Sequence, residues 1–389
     1  MIYDFSKPTN RLHTNSYKWD SAPNDDIIPL WVADMDFETY PAITEALQRR
    51  VAHGIFGYTR VPDAYYESVC QWFAKHHGWS INRSDIIYTS GVVPAISAII
   101  KALTLPGDQV IVQGPVYNCF YSSIRNNGCE MVSNSLIYNK ETLRYEMDFE
   151  DLDRKLSHER ARIMLLCNPH NPGGRVWSRE ELTHVAELCK KHGVRVVSDE
   201  IHCELTLHGN EYTPFGSLPD KLSFGSITCC SPSKAFNIAG LQIANIVCRD
   251  AAVRERVDRT ININEVCDVN PFGVEALMAA YTDGGEEWLM ELRKYLSDNY
   301  DMLLEFFARH LPQLPVVRME GTYLAWVDCS SLGEASEEIE ERLMKKNKVW
   351  VNAGSMYGKE GEHFIRINMA CPRERLEEGL RRIAEGIIS

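Results

Sequence analysis

Apolar positions along the chain change period repeatedly, and each change marks an element. Behind Pro41, the residues Ile43, Leu47 and Val51 share one helical face, and a proline at the start suits a first turn. Gly54-Ile55-Phe56-Gly57-Tyr58-Thr59 then predicts a glycine-bounded aromatic loop. From about residue 64 helices and short apolar strands alternate. A helix over 65–77 stops at Gly78, a strand covers 85–89, and Ser90-Gly91 opens a helix over 92–100 with Pro94 in its first turn. A strand follows over 110–112, and Gly114-Pro115-Val116-Tyr117 opens the next helix. Strand 162–167 leads into the turn Asn168-Pro169-His170-Asn171-Pro172-Gly173-Gly174. Ser178 with Glu181 predicts a capping box for a helix over 179–192 that Gly193 ends. Strand 194–198 carries Asp199 at its end, and strand 226–230 runs into Ser231-Pro232-Ser233-Lys234.

Strands that alternate with helices and read as continuous Val/Ile runs predict an α/β fold, with a mostly parallel sheet covered by helices on both faces. After residue 250 the pattern shifts to two long helices, about 271–283 and 286–311, then short strands, an acidic helix over 334–346, strand 363–368 and a last helix from Pro372. This predicts a second, smaller α+β domain. The expected division is 1–47 as an N-terminal arm with part of the small domain, 48–285 as the large domain, and 286–389 as the small one.

Composition narrows the partners. A net charge of −13 without a basic stripe argues against nucleic acid. No uninterrupted apolar stretch is long enough for a bilayer, and Met1-Ile2-Tyr3-Asp4-Phe5 lacks the basic flank of a leader, which predicts a cytoplasmic protein without a membrane partner. Of the twelve cysteines, Cys70, Cys119, Cys167, Cys189 and Cys248 sit within apolar patterns and read as small buried hydrophobes. No Cys/His set has zinc spacing, so no metal is expected.

Ligands of parallel sheets gather outside the carboxyl ends of the strands, so the residues following each strand should converge. A lysine at such an end is held by a partner, shifted in pKa, or used covalently. Taken singly, Asp199 is an ordinary cap, Asn171-Pro172-Gly173 an ordinary turn and Tyr117 an ordinary core residue. Together they suit a ring cofactor bearing an aldehyde, a phosphate and a pyridine nitrogen. Lys234 supplies a primary amine for a Schiff base, and Asp199 a carboxylate to keep the ring nitrogen protonated. Asn171 can donate to a phenolic oxygen, and Tyr117 can stack on the ring. The backbone N–H groups of Gly91, Val92 and Val93 at a helix start, with the hydroxyls of Ser231 and Ser233, suit a phosphate.

Four motifs carry a family likeness: Asn168-Pro169-His170-Asn171-Pro172-Gly173-Gly174, Val197-Ser198-Asp199-Glu200-Ile201-His202, Ser231-Pro232-Ser233-Lys234 and Phe364-Ile365-Arg366-Ile367-Asn368. The chain resembles the fold-type I pyridoxal-phosphate enzymes of the class I/II aminotransferase superfamily over nearly its whole length. The resemblance implies pyridoxal 5'-phosphate as cofactor, with Lys234 as its covalent anchor and proton carrier, Asp199 at the pyridine nitrogen and Asn171 at the phenolic oxygen. It implies that Arg366 clamps the carboxylate of an amino-acid substrate, beside Ala33 and Asn171. It also implies a homodimer in which Tyr58 reaches the phosphate of the neighbouring subunit.

Two positions depart from the usual aminotransferase pattern. His202 stands near the cofactor where a tyrosine is usual, and Gln242 where an arginine usually meets the phosphate. With Trp31-Val32-Ala33-Asp34-Met35-Asp36-Phe37, these resemble the cystathionine β-lyase and C–S lyase branch, the MalY/PatB type. The activity so implied is α,β-elimination on L-cystathionine or a related cysteine thioether, giving pyruvate, ammonia and a thiol. A transaminase acting on an L-amino acid and a 2-oxo acid shares the first steps and is the alternative. A regulatory or ligand-binding protein that kept the fold is a third, against which intact Lys234, Asp199 and Arg366 argue.

Overall fold

Seven strands form the central sheet of the computed structural model, which describes residues 3–263 and 269–388. In chain order they are β1 (Ile86–Thr89), β2 (Gln109–Val112), β3 (Glu130–Ser133), β4 (Ala161–Cys167), β5 (Arg195–Asp199), β6 (Ile227–Cys230) and β7 (Ala244–Val247). Their spatial order is β1-β7-β6-β5-β4-β2-β3. Only β7 runs against the rest, since it is antiparallel to both β1 and β6 while the remaining pairs are parallel. Six strands therefore deliver their carboxyl ends to one edge. Within β4 and β5, alternate residues point to opposite faces. Leu165 and Val197 pack with Ile96, Ile99 and Phe120 on one side, and Met164, Leu166 and Val196 pack with Leu182 and Val185 on the other. Both faces are covered, which explains why these strands read as unbroken apolar runs.

The helices follow local signals. α1 (Pro41–His53) starts on its proline and stops at Gly54, whose φ of 74° needs no side chain. α2 (Asp63–His77) precedes β1, α3 (Val92–Leu103) follows it, and α4 (Asn118–Asn126) follows β2. α5 (Arg179–His192) has the expected capping box between Ser178 and Glu181. α6 (Pro271–Ala280) leads to α7 (Asp283–His310), 28 residues and about 42 Å long, which buries Trp288, Leu292, Tyr295, Asn299, Leu303 and Phe307 on one stripe.

A second, three-stranded sheet consists of Leu324–Asp328, Phe364–Asn368 and Asn352–Ala353, all antiparallel, with Arg366 opposite both Trp326 and Asn352. The N-terminal segment joins this part of the molecule. Ile28–Pro29 pairs in parallel with Val349–Trp350, and Asn368 N donates to Leu30 O at 2.8 Å. Residues 31–37 then run between the second sheet and the turn after β6. Strands β3 and β7 and the helices Phe149–Leu156 and Ala251–Asn262 were not expected from the pattern. β3 reads Glu130-Met131-Val132-Ser133, with only two apolar residues, and β7 has the polar Asn245 among its apolar residues, so neither forms an apolar run.

Candidate active site

Three adjacent strands end in register. Cys167 of β4 pairs with Asp199 of β5, which pairs with Cys229 of β6. The residues just beyond them, Asn168 to Asn171, Glu200 to His202 and Ser231 to Lys234, are therefore neighbours in space. The turn after β6 is held from within: Ser231 Oγ donates to Ile243 O at 2.5 Å and accepts from Ser233 N at 3.1 Å. That commits the Ser231 proton to the backbone and leaves Ser233 as the hydroxyl of the pair able to donate to an anion. Asn237, at a φ of 55°, fastens the turn to residues 31–37. Its amide accepts from Met35 N and donates to Met35 O and Phe37 O at 2.9–3.0 Å.

Lys234 Nζ donates to Ala33 O at 2.6 Å, and Tyr323 Oη donates to the same carbonyl at 3.0 Å. Burial lowers the lysine's pKa, as does Arg366, against the opposing pull of Asp34 and Asp199. The amine is thus biased toward its neutral, nucleophilic form. Asp199 is 3% exposed, and among the described residues its carboxylate accepts one hydrogen bond, from Ile201 N at 3.1 Å. Burial pushes it up to about 7, with Ile201 N–H and Lys234 pulling the other way. An acid so placed takes on a full charge only when a cation reaches it.

Arg366 is buried on its strand, with its guanidinium 4.9 Å from the centre of the Tyr357 ring. Nη1 donates to Asn171 Oδ1 at 3.1 Å, and Nη2 donates to Trp31 O at 2.8 Å and Asn352 Oδ1 at 2.9 Å, while Nε has no partner among the described residues. The bond from Arg366 orients the Asn171 amide, so that its NH2 is the group left to donate into the site. His202 is also buried, with Nδ1 unpaired among the described residues and its ring 6.1 Å from that of Tyr323. Burial, helped by Lys234 and Arg366, drives its pKa well below 6.5, so the imidazole is neutral. Tyr117 caps α4; burial raises its phenol, and Cys119 and Asp199 add to the effect while Arg366 opposes it.

At the start of α3, Gly91 has no side-chain cap above it, and a Cβ there would meet Pro94 Cδ at 3.3 Å. The N–H groups of Val92 and Val93 are the free ends of a twelve-residue helix, the usual seat of an anion. Gln242 is exposed at a φ of 52° beyond this region. Tyr58 is 96% exposed, on the loop between α1 and α2.

The structure therefore brings Lys234, Asp199, Asn171, His202, Arg366, Tyr117 and Ala33 together. It adds Tyr323, Asn352, Tyr357 and Cys119, which sequence reasoning missed. Tyr323 opens an apolar run that reads as core and Cys119 reads as a small buried hydrophobe, though the structure leaves it partly exposed, while Asn352 and Tyr357 stand in no recognisable motif.

Among the described residues no helix is long and apolar enough to cross a membrane. The family model for aminotransferases of class I and II matches residues 25–383. Cystathionine beta-lyase PatB of Bacillus subtilis is 44% identical over 384 residues, covering 98% of each chain. Cystalysin from Treponema denticola, whose crystal structure contains a pyridoxal 5'-phosphate cofactor, superposes with a TM-score of 0.96 at 32% identity, covering 100% of this chain and 99% of that one. The PLP-bound C-S lyase from Staphylococcus hominis superposes with a TM-score of 0.91 at 32% identity, with the same coverage.

Proposed function

The chain belongs to the class I and II aminotransferase family, and from that premise we propose that it is a pyridoxal-phosphate-dependent carbon–sulfur lyase. It cleaves L-cystathionine or a related cysteine thioether to pyruvate, ammonia and a thiol. The observation that carries the reading is the grouping of a buried amine whose pKa is lowered, a buried carboxyl short of partners and an incompletely paired guanidinium beyond the same strand ends. The likeness to PatB and to the C–S lyase structures supports elimination over amino transfer.

The residues present fit pyridoxal phosphate. Its ring nitrogen would answer the single hydrogen bond on Asp199, its phenolic oxygen the free NH2 of Asn171, and its phosphate the N–H groups of Val92 and Val93 with Ser233 Oγ. Tyr117 would lie against the ring, and His202 would stand beside Asp199. When bound, the cofactor supplies an aldehyde for the substrate's amino group and a cationic ring that draws electrons from Cα. The chain's own residues do the rest. Lys234 Nζ takes the proton from Cα, for which its lowered pKa suits it. Arg366, aimed by Asn171, Trp31 O and Asn352, holds the carboxylate, with Ala33 beside it. Asp199 stays charged against the ring nitrogen and so keeps that nitrogen protonated.

The same reading includes a cytoplasmic homodimer and the division into 1–47, 48–285 and 286–389. Exposed Tyr58, Phe56 and Ile55 on one loop, at 96%, 56% and 65%, support a subunit contact there, with Tyr58 reaching the partner's phosphate in place of the arginine that Gln242 replaces. The test is incubation of the holoprotein with L-cystathionine and no 2-oxo acid. Sustained pyruvate release is expected, reduced at least about a thousandfold in Lys234→Ala with loss of the cofactor's absorbance band. Activity that strictly requires a 2-oxo acid would instead establish a transaminase.

A further inference from the structure

Residues 31–35 form a strap whose backbone faces the site. Trp31 O accepts from Arg366, Ala33 O accepts from Lys234 and Tyr323, and Val32 O and Asp34 O both accept from Asn368 Nδ2 at 2.5–2.6 Å. Met35 is held by Asn237. The strap thus sets where the amine and the guanidinium point, and three of the five N–H donors of Arg366 are committed, one of them to Trp31 O.

What holds the strap from behind is charge. Arg11 donates to both carboxylate oxygens of Asp34 at 3.0 and 2.6 Å, to Met35 O at 3.0 Å and to Asp36 at 2.8 Å. Lys18 is fully buried, with Nζ 3.3 Å from Asp36 and 3.6 Å from Asp34. Arg375 reaches the other oxygen of Asp36 at 3.2 Å, and Trp19 Nε1 donates to Asp36 at 3.0 Å. The Lys18 carbonyl accepts from Trp31 Nε1 at 3.0 Å, while among the described residues the side chains of Arg11 and Lys18 bond to none of the groups placed around the cofactor or substrate.

We propose that Arg11 and Lys18 are positioning residues for the substrate's carboxylate, acting on Arg366 through Asp34, Asp36 and the strap carbonyls; the proposal rests on the lyase reading above. Removing one cation leaves a buried acid unbalanced, so the strap shifts and Trp31 O no longer aims the guanidinium. A carboxylate clamp acts equally on bound substrate and transition state, so its misalignment raises KM and spares kcat.

The experiment measures kcat and KM for L-cystathionine, with cofactor absorbance and thermal unfolding, in Arg11→Gln, Asp34→Asn and the double variant. Arg11→Gln is expected to raise KM about tenfold with kcat altered less than about threefold and absorbance retained, and Asp34→Asn to raise KM as far while also shifting the pH profile of kcat, because the Asp34 charge acts on Lys234 as well. The double variant should fall short of the sum of the two single effects on KM, since Arg11 and Asp34 share an ion pair although Arg11 also meets Asp36 and Asp34 also meets Lys18. Should Arg11→Gln fail to fold, Asp34→Asn, which removes the same ion pair together with its half-buried charge, gives the same KM test. An unchanged KM, effects that add, or losses of kcat in step with cofactor release overturn the proposal. A wild-type holoprotein that yields no pyruvate overturns the lyase reading instead, before any variant is compared.

Discussion

Asp199 at the sheet edge and Asp36 beneath the N-terminal segment are both buried aspartates, and their surroundings move their protons in opposite directions. Burial raises Asp199 to about 7, because one backbone N–H and the more distant Lys234 do not offset it. Burial also pushes Asp36 upward, but Lys18, Trp19, Arg375 and Arg11 outweigh it and hold the carboxyl below its usual value. Depth alone does not set the charge of a buried acid; its complement of partners does. The acid at Asp36 is met by four groups of the chain, whereas among the described residues the edge at Asp199 leaves His202 Nδ1 and Arg366 Nε unpaired. Eight further buried side-chain atoms among the described residues also lack partners, so it is the gathering of these two with Lys234 and Asp199, and not the shortfall alone, that suits a ligand.

Three measurements would sharpen or break this contrast. The largest effect is expected for Asp199→Ala, which should lower elimination by about a thousandfold and weaken cofactor retention, while leaving the cofactor-free protein folded. Activity close to wild type would show that this acid does not serve the ring. Asp36→Ala should act on stability, by about 3–5 kcal/mol in urea unfolding, because it strands Lys18 and Arg375. A loss below about 1 kcal/mol would mean that the cluster is already open to water.

The smallest effect is on pH dependence. In the folded, cofactor-free protein Asp199 keeps its proton up to about pH 7, whereas the unfolded chain releases it near 3.8. Its contribution is therefore present below about pH 4 and lost as the pH rises through 7. Asp36, being depressed, contributes above 3.8, and its share is lost on acidification below that value. Thermal unfolding of the cofactor-free protein should thus show a stability that declines from pH 5 to about 7, and Asp199→Asn should shallow the decline. Glu200, also raised to about 7 by burial despite bonds from Tyr212, Ser198 and Phe215 N, keeps part of the slope.

Much of the site was legible because each key residue follows a strand. Asn171, Asp199 and Lys234 could be placed by finding three apolar runs and reading what came next. Ser231 could not be read this way: its position near the phosphate seat was visible, but its bond to Ile243, on the other side of the turn, was not. Nor could Tyr323 and Asn352, whose roles depend on which way a second sheet packs. Lys18, a lysine in a polar segment, gives no local sign that it is fully buried.

What the sequence determined by itself was the succession of elements and their ends, because period, proline, glycine and capping act between residues a few positions apart. Only the tertiary structure decided which polar groups would be satisfied and which left short. Arg366 meets Asn171 across 195 positions and Lys234 meets Ala33 across 201. The free energy of a buried charge is a sum over such distant neighbours, and so belongs to the folded chain and to no segment of it.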